Sequence, residues 1–162
     1  MKVINLGEQN SVLNQFVSEI RDVNIQKDSL RFRRNLERIG EIFAYEISKT
    51  LNYVPSEVET PLGIANIQLC NQTIVLGTIL RAGLPLHQGL LNYFDCAQNS
   101  FIAAYRKYGK DNKFTIQIEY ASSPKLEGKI LILADTMLAT GASIVLAYEK
   151  LCQEGEPIHT HL

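Results

Sequence analysis

A segment of small and polar residues that follows a buried apolar run is the strongest chemical feature of this sequence. The run Lys129–Ala134 (KILILA) has the composition of a covered β-strand, and it stops at the carboxylate of Asp135. Thr140-Gly141-Ala142-Ser143 then leads directly into a segment with helical spacing of apolar residues. The first amides of a helix have no partner within it, and the helix dipole makes that end partly positive. We therefore predict a phosphate-binding loop over Asp135–Ser143.

This loop combines two kinds of hydrogen-bonding group. Thr140 and Ser143 can donate hydroxyl hydrogens to a phosphate, whereas the carboxylate of Asp135 repels a phosphate and suits the hydroxyls of a ribose. Together they indicate a phosphorylated ribose. An ordinary strand–loop–helix turn with Ser and Thr caps has the same local pattern, so both interpretations stay open for the loop alone. Nucleoside-triphosphatase and dinucleotide loops are excluded, because the chain has no Gly-Lys-Ser/Thr and no GxGxxG.

Alternating strand and helix patterns supply the frame for this loop. The sequence predicts buried strands at Thr73–Leu80 and Ser100–Tyr105, with a helix between them. Such alternation predicts a mainly parallel α/β sheet, in which ligands bind at the carboxyl ends of the strands. Arg81, Arg106 and Asp135 each follow a predicted strand. We therefore expect these three residues to meet at one edge of the sheet.

The remaining segments predict further elements. Two amphipathic helices precede residue 50, and their apolar stripes are Val12, Leu13, Phe16, Val17 and Ile20, then Phe32, Leu36, Ile39, Phe43 and Ile47. Thr60–Gly63 predicts a turn, and Phe114–Tyr120 alternates like a half-exposed strand. Lys107–Lys113 is either a lid over a ligand or a solvated hairpin loop. His87 is expected to be a surface or packing residue rather than a base, and His159 and His161 alternate as on a strand.

A basic stretch lies on the second predicted helix, made up of Arg31, Arg33, Arg34 and Arg38. It is either a solvated face or a contact for an oligomer partner or a nucleotide effector. Overall composition favours one soluble domain, because the 162 residues are 46% hydrophobic and 20% charged. A net charge of −1 gives no field that would attract nucleic acid or an anionic membrane. Three scattered cysteines predict reduced thiols in the cytoplasm, without a disulfide framework or zinc site.

Three segments of the chain resemble segments of one known family, in which they occur in the same chain order and at the same spacings. They are Asp135-Thr136-Met137-Leu138-Ala139-Thr140-Gly141-Ala142-Ser143, then Ile79–Leu84 (ILRAGL), then Tyr105-Arg106. They are similar to the phosphoribosyl-diphosphate loop, the diphosphate-binding segment and the second arginine site of the uracil phosphoribosyltransferases. Phe32-Arg33 and Tyr45-Glu46 also stand where the N-terminal helices of that family carry them. The resemblance extends over nearly the whole chain.

This resemblance implies an α/β protein with the type I phosphoribosyltransferase fold, a mainly parallel sheet flanked by helices and preceded by N-terminal helices. It implies a glycosyltransferase of uracil salvage in the cytoplasm, which converts uracil and 5-phosphoribosyl 1-diphosphate to UMP and diphosphate. Mg²⁺ would be carried with the diphosphate, and no cluster of protein metal ligands is expected. The resemblance also implies a homo-oligomer (dimer or tetramer) and, because some relatives are activated by GTP, makes GTP a candidate effector.

The resemblance further assigns residues to the reaction. Arg81 and Arg106 would stabilise the leaving diphosphate, and the amides of Ala82 and Gly83 would form a second cradle for it. Asp135 would orient the ribose, so Asp135 and Arg106 are the expected catalytic residues. The other residues expected to contact phosphoribosyl diphosphate form the loop: Thr136, Met137, Leu138, Ala139, Thr140, Gly141, Ala142 and Ser143.

The sequence departs from the family pattern in three places. Members of the family usually have Pro at the position of Thr136 and Gly at the position of Ala142. Ala142 would be strained if its position requires a positive φ. The chain stops at Pro157–Leu162, where the next strand should start. We therefore expect residues 1–162 to form a single phosphoribosyltransferase domain whose C-terminal strands and uracil-binding segment are missing. A non-catalytic phosphoribosyl-diphosphate-binding or subunit-interaction protein is the second hypothesis, and a transferase for another base is the third.

Overall fold

A computed structural model describes residues 2–108 and 114–162. Its α-helices are α1 (Leu13–Arg21), α2 (Ser29–Ser48), α3 (Leu84–Leu91) and α4 (Ala142–Leu151). Its strands are β1 (Tyr53–Thr60), β2 (Gly63–Cys70), β3 (Ile74–Leu80), β4 (Gln98–Tyr108), β5 (Phe114–Ser122), β6 (Ile130–Ala134) and β7 (His159–His161). Short 3₁₀ turns lie at Leu6–Glu8, Ile25–Lys27 and Cys152–Glu154. No helix among these residues is long and apolar enough to span a membrane.

Five of the strands form one sheet in the order β5-β4-β3-β6-β7. The central strand β3 runs parallel to β4 on one side and to β6 on the other, and β7 is parallel to β6. Only β5 is antiparallel, since it returns directly from β4. The predicted mainly parallel α/β sheet is therefore confirmed. The strand that begins near the C-terminus is also found, because His159–His161 pairs with Ile130–Ile132 along one edge of the sheet.

Helices cover both faces of this sheet, which explains why its central strands are apolar throughout. On one face Leu76 packs with residues of the first three helices, among them Ile39 and Leu86. On the other face Leu131 and Leu133 pack with Leu151 of α4 and with neighbouring apolar residues. All of β6 and all but the last residue of β3 are buried as a result.

The two N-terminal helices form as predicted. The Asp28 carboxylate caps α2 by accepting hydrogen bonds from the amides of Leu30 and Arg31, each at 3.0 Å. Val12 is a correction: it precedes α1 and is 62% exposed, so it does not belong to the buried stripe of that helix. Most of the other residues of the two apolar stripes join the same core cluster.

Most of the basic stretch on α2 is engaged within the chain. Arg31 pairs with Glu19 of α1 at 3.1 Å, and Arg34 pairs with Glu37 at 2.6 Å. Arg38 donates to the buried Asn35, whose amide in turn donates to Glu19 at 2.7 Å. The contacts with Glu19 join α1 to α2, whereas the pair of Arg34 and Glu37 lies within α2. For these arginines the structure favours contacts within the chain over a free nucleotide site.

The hairpin β1–β2 is the element that the sequence patterns do not predict beyond its turn. The turn itself lies where expected, since the Thr60 hydroxyl donates to the carbonyl of Gly63 at 2.7 Å and Gly63 has a φ of +127°. The two antiparallel strands pair over their whole length and form a sheet of their own. Their side chains are mostly exposed on both faces, so no alternation of buried and exposed residues marks them in the sequence.

Candidate active site

The predicted phosphate loop connects β6 to α4 and presents the start of the helix. Gly141 precedes α4 in the left-handed conformation, with φ +76° and ψ −4°. The first regular helical bond runs from the amide of Val145 to the carbonyl of Gly141 at 3.0 Å. The amide of Ala142 donates to the Thr140 hydroxyl at 3.3 Å, whereas the amides of Ser143 and Ile144 have no hydrogen-bond partner within the described residues. An anion at this point would therefore find donors that the chain does not use.

The exposure of this loop also suits ligand binding. Met137 and Leu138 are 81% and 80% exposed, and Ala139 and Thr140 are exposed as well. The conformation settles the question raised by Ala142, since the left-handed position falls on Gly141 and Ala142 is already the first helical residue. An alanine is therefore tolerated there without strain.

Asp135 is the first residue after β6 and is half-buried. Its Oδ1 atom accepts a hydrogen bond from the amide of Thr136 at 2.8 Å. This contact holds the carboxylate at the end of the strand, facing the chain segment that leads to the helix. A carboxylate fixed in this way can accept hydrogen bonds from hydroxyls of a ligand bound at the same edge.

The second predicted binding segment is the turn Arg81–Gly83, between β3 and α3. Arg81 and Ala82 are exposed, and the peptide bond between Leu80 and Arg81 is cis. Gly83 is buried, and its amide donates to the carbonyl of Ile79 at 3.1 Å. The turn itself uses the Gly83 amide in this structure, and a ligand cradle that includes Gly83 stays a prediction. The amide of Ala82 has no such backbone bond in the described part of the chain.

The register of the sheet brings the predicted segments to one edge. Thr78 of β3 is the partner of Ala134 of β6, so Asp135 comes directly after this pair and Arg81 three residues after it, both toward the carboxyl ends of parallel strands. Arg106 lies near the end of β4, the other neighbour of β3, and its backbone pairs with Ile116 of β5. The side chain of Arg106 and residues 109–113 of the candidate lid lie outside what the structure describes. At the level of the backbone, Arg81 and Asp135 follow β3 and β6 as predicted, whereas Arg106 lies within β4, which continues to Tyr108. That the three side chains meet at one site stays a prediction.

The histidines are placed away from this edge. His87 is 4% exposed, and its Nε2 atom lies 2.8 Å from the Asn99 Oδ1 atom while its ring packs against Phe101. Burial lowers the pKa of His87 below its usual value, and the Asn99 contact opposes this only in part. His87 is thus a packing residue, as expected. The rings of His159 and His161 contact each other edge to face, and no three potential metal ligands cluster among residues 2–108 and 114–162.

One residue beneath the site is not indicated by any sequence motif. Thr78 is fully buried, and its hydroxyl donates to the carbonyl of Ala134 at 3.3 Å. A Cβ atom at Gly83 would overlap the same hydroxyl oxygen. The only signal in the sequence is a single hydroxyl within an otherwise apolar strand.

The fold defines the class of the protein, because its architecture is that of the type I phosphoribosyltransferases. A hypoxanthine phosphoribosyltransferase from Staphylococcus aureus is similar with a TM-score of 0.54 and 16% identity, over 79% of this chain and 60% of that one, a likeness of fold alone. The AQ2163 protein of Aquifex aeolicus is similar with a TM-score of 0.81 and 27% identity, over 94% of this chain and 71% of that one.

The chain belongs to the uracil phosphoribosyltransferase family, whose sequence profile matches residues 7–160. It is 54% identical to a uracil phosphoribosyltransferase of Porphyromonas gingivalis, over all of this chain and 75% of that protein. It is 38% identical to one of Methanothermobacter thermautotrophicus, over 93% of this chain and 69% of that protein. The resemblance identified from the three motifs is therefore confirmed.

Proposed function

We propose that this chain transfers the phosphoribosyl group of 5-phosphoribosyl 1-diphosphate to uracil, releasing UMP and diphosphate, and that residues 1–162 act as one domain. The observation that supports the proposal is that the fixed carboxylate of Asp135, the exposed Arg81 and helix amides without a partner among the described residues all follow neighbouring parallel strands. The alternative of a non-catalytic donor-binding protein is not favoured, since identity to a named transferase extends over the whole chain.

The start of α4 is the proposed site of the 5′-phosphate. The amides of Ser143 and Ile144 are available to an anion, and the helix dipole adds a favourable field. The Thr140 hydroxyl already accepts from the Ala142 amide, so its own hydrogen can be donated to a phosphate oxygen. The exposed positions of Met137, Leu138 and Ala139 leave the phosphate a path to these donors.

Asp135 and the two arginines then divide the charges of the reaction. Breaking the bond between the anomeric carbon and the diphosphate oxygen leaves positive charge on the ribose and negative charge on the leaving group. The carboxylate of Asp135 would accept from the ribose hydroxyls and stabilise the positive ribose. Arg81, and Arg106 by resemblance, would bind the departing diphosphate through bidentate hydrogen bonds. Catalysis then consists mainly of positioning and charge stabilisation.

Mg²⁺ is part of this proposal as a companion of the diphosphate. Mg²⁺ prefers oxygen ligands and in proteins is commonly held by one or two carboxylates together with substrate phosphates. Asp135, a single carboxylate at the site edge, fits such a metal, and no dedicated protein cage is required. The ion would supply neutralisation of charge on the diphosphate, while the residues of the chain bind and orient the donor.

The test is UMP formation from radiolabelled uracil, phosphoribosyl diphosphate and Mg²⁺, together with calorimetric binding of the donor. We expect the wild type to form UMP and Arg81→Ala to form it more slowly. Arg33 is an exposed arginine on α2, and Arg33→Ala should leave the rate unchanged. Donor binding without UMP would favour the non-catalytic alternative. A folded chain that binds no donor at all would reject the proposal.

A homo-oligomer is also proposed, with the hairpin β1–β2 as its contact surface. The pair Val54 and Leu69 and the residue Ile67 lie on one face of this two-stranded ribbon and are 36%, 46% and 43% exposed. An isolated two-stranded ribbon is marginally stable in water, so burial of this face against a second copy would stabilise it. Light scattering of the wild type and of Ile67→Lys tests this, because a monomeric wild type or an unaffected variant contradicts it.

We also propose a cytoplasmic location for the protein and regulation of its activity by GTP. The described cysteines Cys70, Cys96 and Cys152 are all unpaired, in keeping with the reducing cytoplasm. GTP stays a proposed effector from the resemblance alone. A titration of GTP into the turnover assay decides whether the rate responds.

A further inference from the structure

We propose that Thr78, a fully buried residue, is a positioning residue that fixes the spacing between the Arg81–Gly83 turn and the Asp135–Ser143 loop. This inference rests on the proposed function, because it assigns the two segments to opposite ends of one donor molecule. It concerns how the site is held together, which the family assignment does not specify.

The first observation is a hydrogen bond between the two strands that lead into the binding segments. The Thr78 hydroxyl of β3 donates to the carbonyl of Ala134, the last residue of β6, at 3.3 Å. Asp135 comes directly after this carbonyl. Thr78 has no exposed surface, so water does not compete for the bond. A side chain of β3 thereby sets the position of the backbone from which the phosphate loop begins.

The second observation is that the same hydroxyl lies directly under the turn of the diphosphate segment. A Cβ atom at Gly83 would overlap the Thr78 oxygen and would stand 2.8 Å from the carbonyl of Ile79. Gly83 is thus the residue type that allows the turn to pack onto Thr78. This explains why Gly83 is needed although its amide is already bonded within the turn.

The donor needs both segments at once, and its fragments need only one. Phosphoribosyl diphosphate would place its 5′-phosphate at Thr140–Ser143 and its diphosphate at Arg81. Ribose 5-phosphate would use the loop alone, and inorganic diphosphate would use the turn alone. A change in the spacing of the two segments must therefore weaken the whole donor more than either fragment.

The decisive variant is Thr78→Val, which keeps the shape of the side chain and removes the hydroxyl. Because an oxygen–oxygen distance of 3.3 Å is long for such a bond, we expect a moderate effect: about 3- to 10-fold weaker calorimetric binding of phosphoribosyl diphosphate. Binding of ribose 5-phosphate and of inorganic diphosphate should change less than about twofold. Thr78→Ser keeps the hydroxyl and should restore donor binding and the KM for the donor.

Ser100→Ala is the matched control. Ser100 is also fully buried, and its hydroxyl donates to the carbonyl of Ser122 at 3.2 Å, but this bond joins β4 to β5. Its loss should lower the thermal midpoint without raising the KM for the donor. If Ser100→Ala and Thr78→Val raise that KM equally, a general loss of stability explains both and the positioning role is refuted.

The other outcomes are equally decisive. Equal weakening of all three ligands by Thr78→Val, or no weakening of any, overturns the role of Thr78. Should Thr78→Val not fold, Thr78→Ala is measured in the same way, and failure of both to fold makes Thr78 a purely structural residue. A wild-type chain that binds none of the three ligands would instead reject the proposed function itself. If the wild type binds the donor and Thr78→Val binds it equally well, the inference about Thr78 is rejected and the proposed function stands.

Discussion

Gly141 is the residue at which the backbone of the phosphate loop can be tested most directly. Its φ of +76° lies in the left-handed region, where a Cβ atom costs roughly 1–2 kcal/mol. An added Cβ would meet only the Leu138 Cδ1 atom, at an ordinary contact distance of 3.6 Å. The penalty of Gly141→Ala is therefore conformational rather than a matter of collision, and the protein should still fold.

The strain must appear in one of two measurable quantities. If the loop keeps its conformation without ligand, Gly141→Ala lowers the free energy of unfolding by roughly 1–2 kcal/mol. If the loop relaxes instead, binding must restore the strained conformation, and ribose 5-phosphate binds about 5- to 30-fold more weakly. We expect the sum of the two losses to stay close to the single backbone cost.

Gly128 provides the matched control for this prediction. It has nearly the same φ, +71°, and an added Cβ would meet nothing within 4 Å. It precedes β6, at the opposite end of the strand from Asp135. Gly128→Ala should therefore lower stability by a similar amount and leave binding of ribose 5-phosphate unchanged. Urea unfolding of both variants measures the loss of stability, and calorimetry measures the loss of binding to ribose 5-phosphate. Equal effects on binding, or none from Gly141→Ala in either measurement, would refute the assignment of this loop.

Three further predictions concern the packing of α3 on α2, the buried His87 and the proposed role of Arg106. Gly89→Ala should destabilise the protein by about 1–3 kcal/mol in urea unfolding, because its Cβ would overlap the Glu37 carbonyl where α3 crosses α2; unchanged stability would contradict the close crossing. Burial lowers the pKa of His87, so its neutral form is favoured in the fold, and the resulting stability is complete above the ordinary value of 6.5 and declines as the pH falls below it. The unfolding midpoint of the wild type should therefore fall more between pH 7.5 and 5.5 than that of His87→Gln, and parallel curves would exclude this contribution. Arg106→Ala should weaken calorimetric binding of diphosphate more than that of ribose 5-phosphate, and equal losses would count against its proposed role.

Local patterns were sufficient to predict the parts of the fold whose burial is regular. The continuous apolar runs of β3 and β6 arise because helices cover both faces of the sheet, and both runs are visible in the sequence. The hairpin β1–β2 has no such pattern, since its ribbon packs on no third strand among the described residues and Pro55 interrupts the first run. Its turn was predictable because Thr60–Gly63 determines it locally.

Contacts between distant segments set the limit of prediction within the site. The loop residues could be predicted because strand, loop and helix are contiguous in the sequence. The bond from Thr78 to Ala134 joins residues 56 positions apart, and its existence depends on the register of β3 against β6. The bonded amide of Gly83 likewise follows from the shape of the turn, which residue types alone do not determine. Sequence therefore indicates which residues are present at the site, and strand register together with turn geometry decides which of their groups are free.

The position of the site follows from the connectivity of the sheet. The chain passes from β3 through α3 to β4 on one side, and from β6 through α4 to β7 on the other. Because parallel crossovers are right-handed, two crossovers that move in opposite directions place their helices on opposite faces, as the separate clusters around α3 and α4 show. The segments after β3 and β6 consequently turn toward opposite faces, and in open α/β sheets such a change of direction defines the crevice in which ligands bind. A donor with a phosphate at one end and a diphosphate at the other matches such a crevice, because each diverging segment can bind one anionic group while the ribose lies between them.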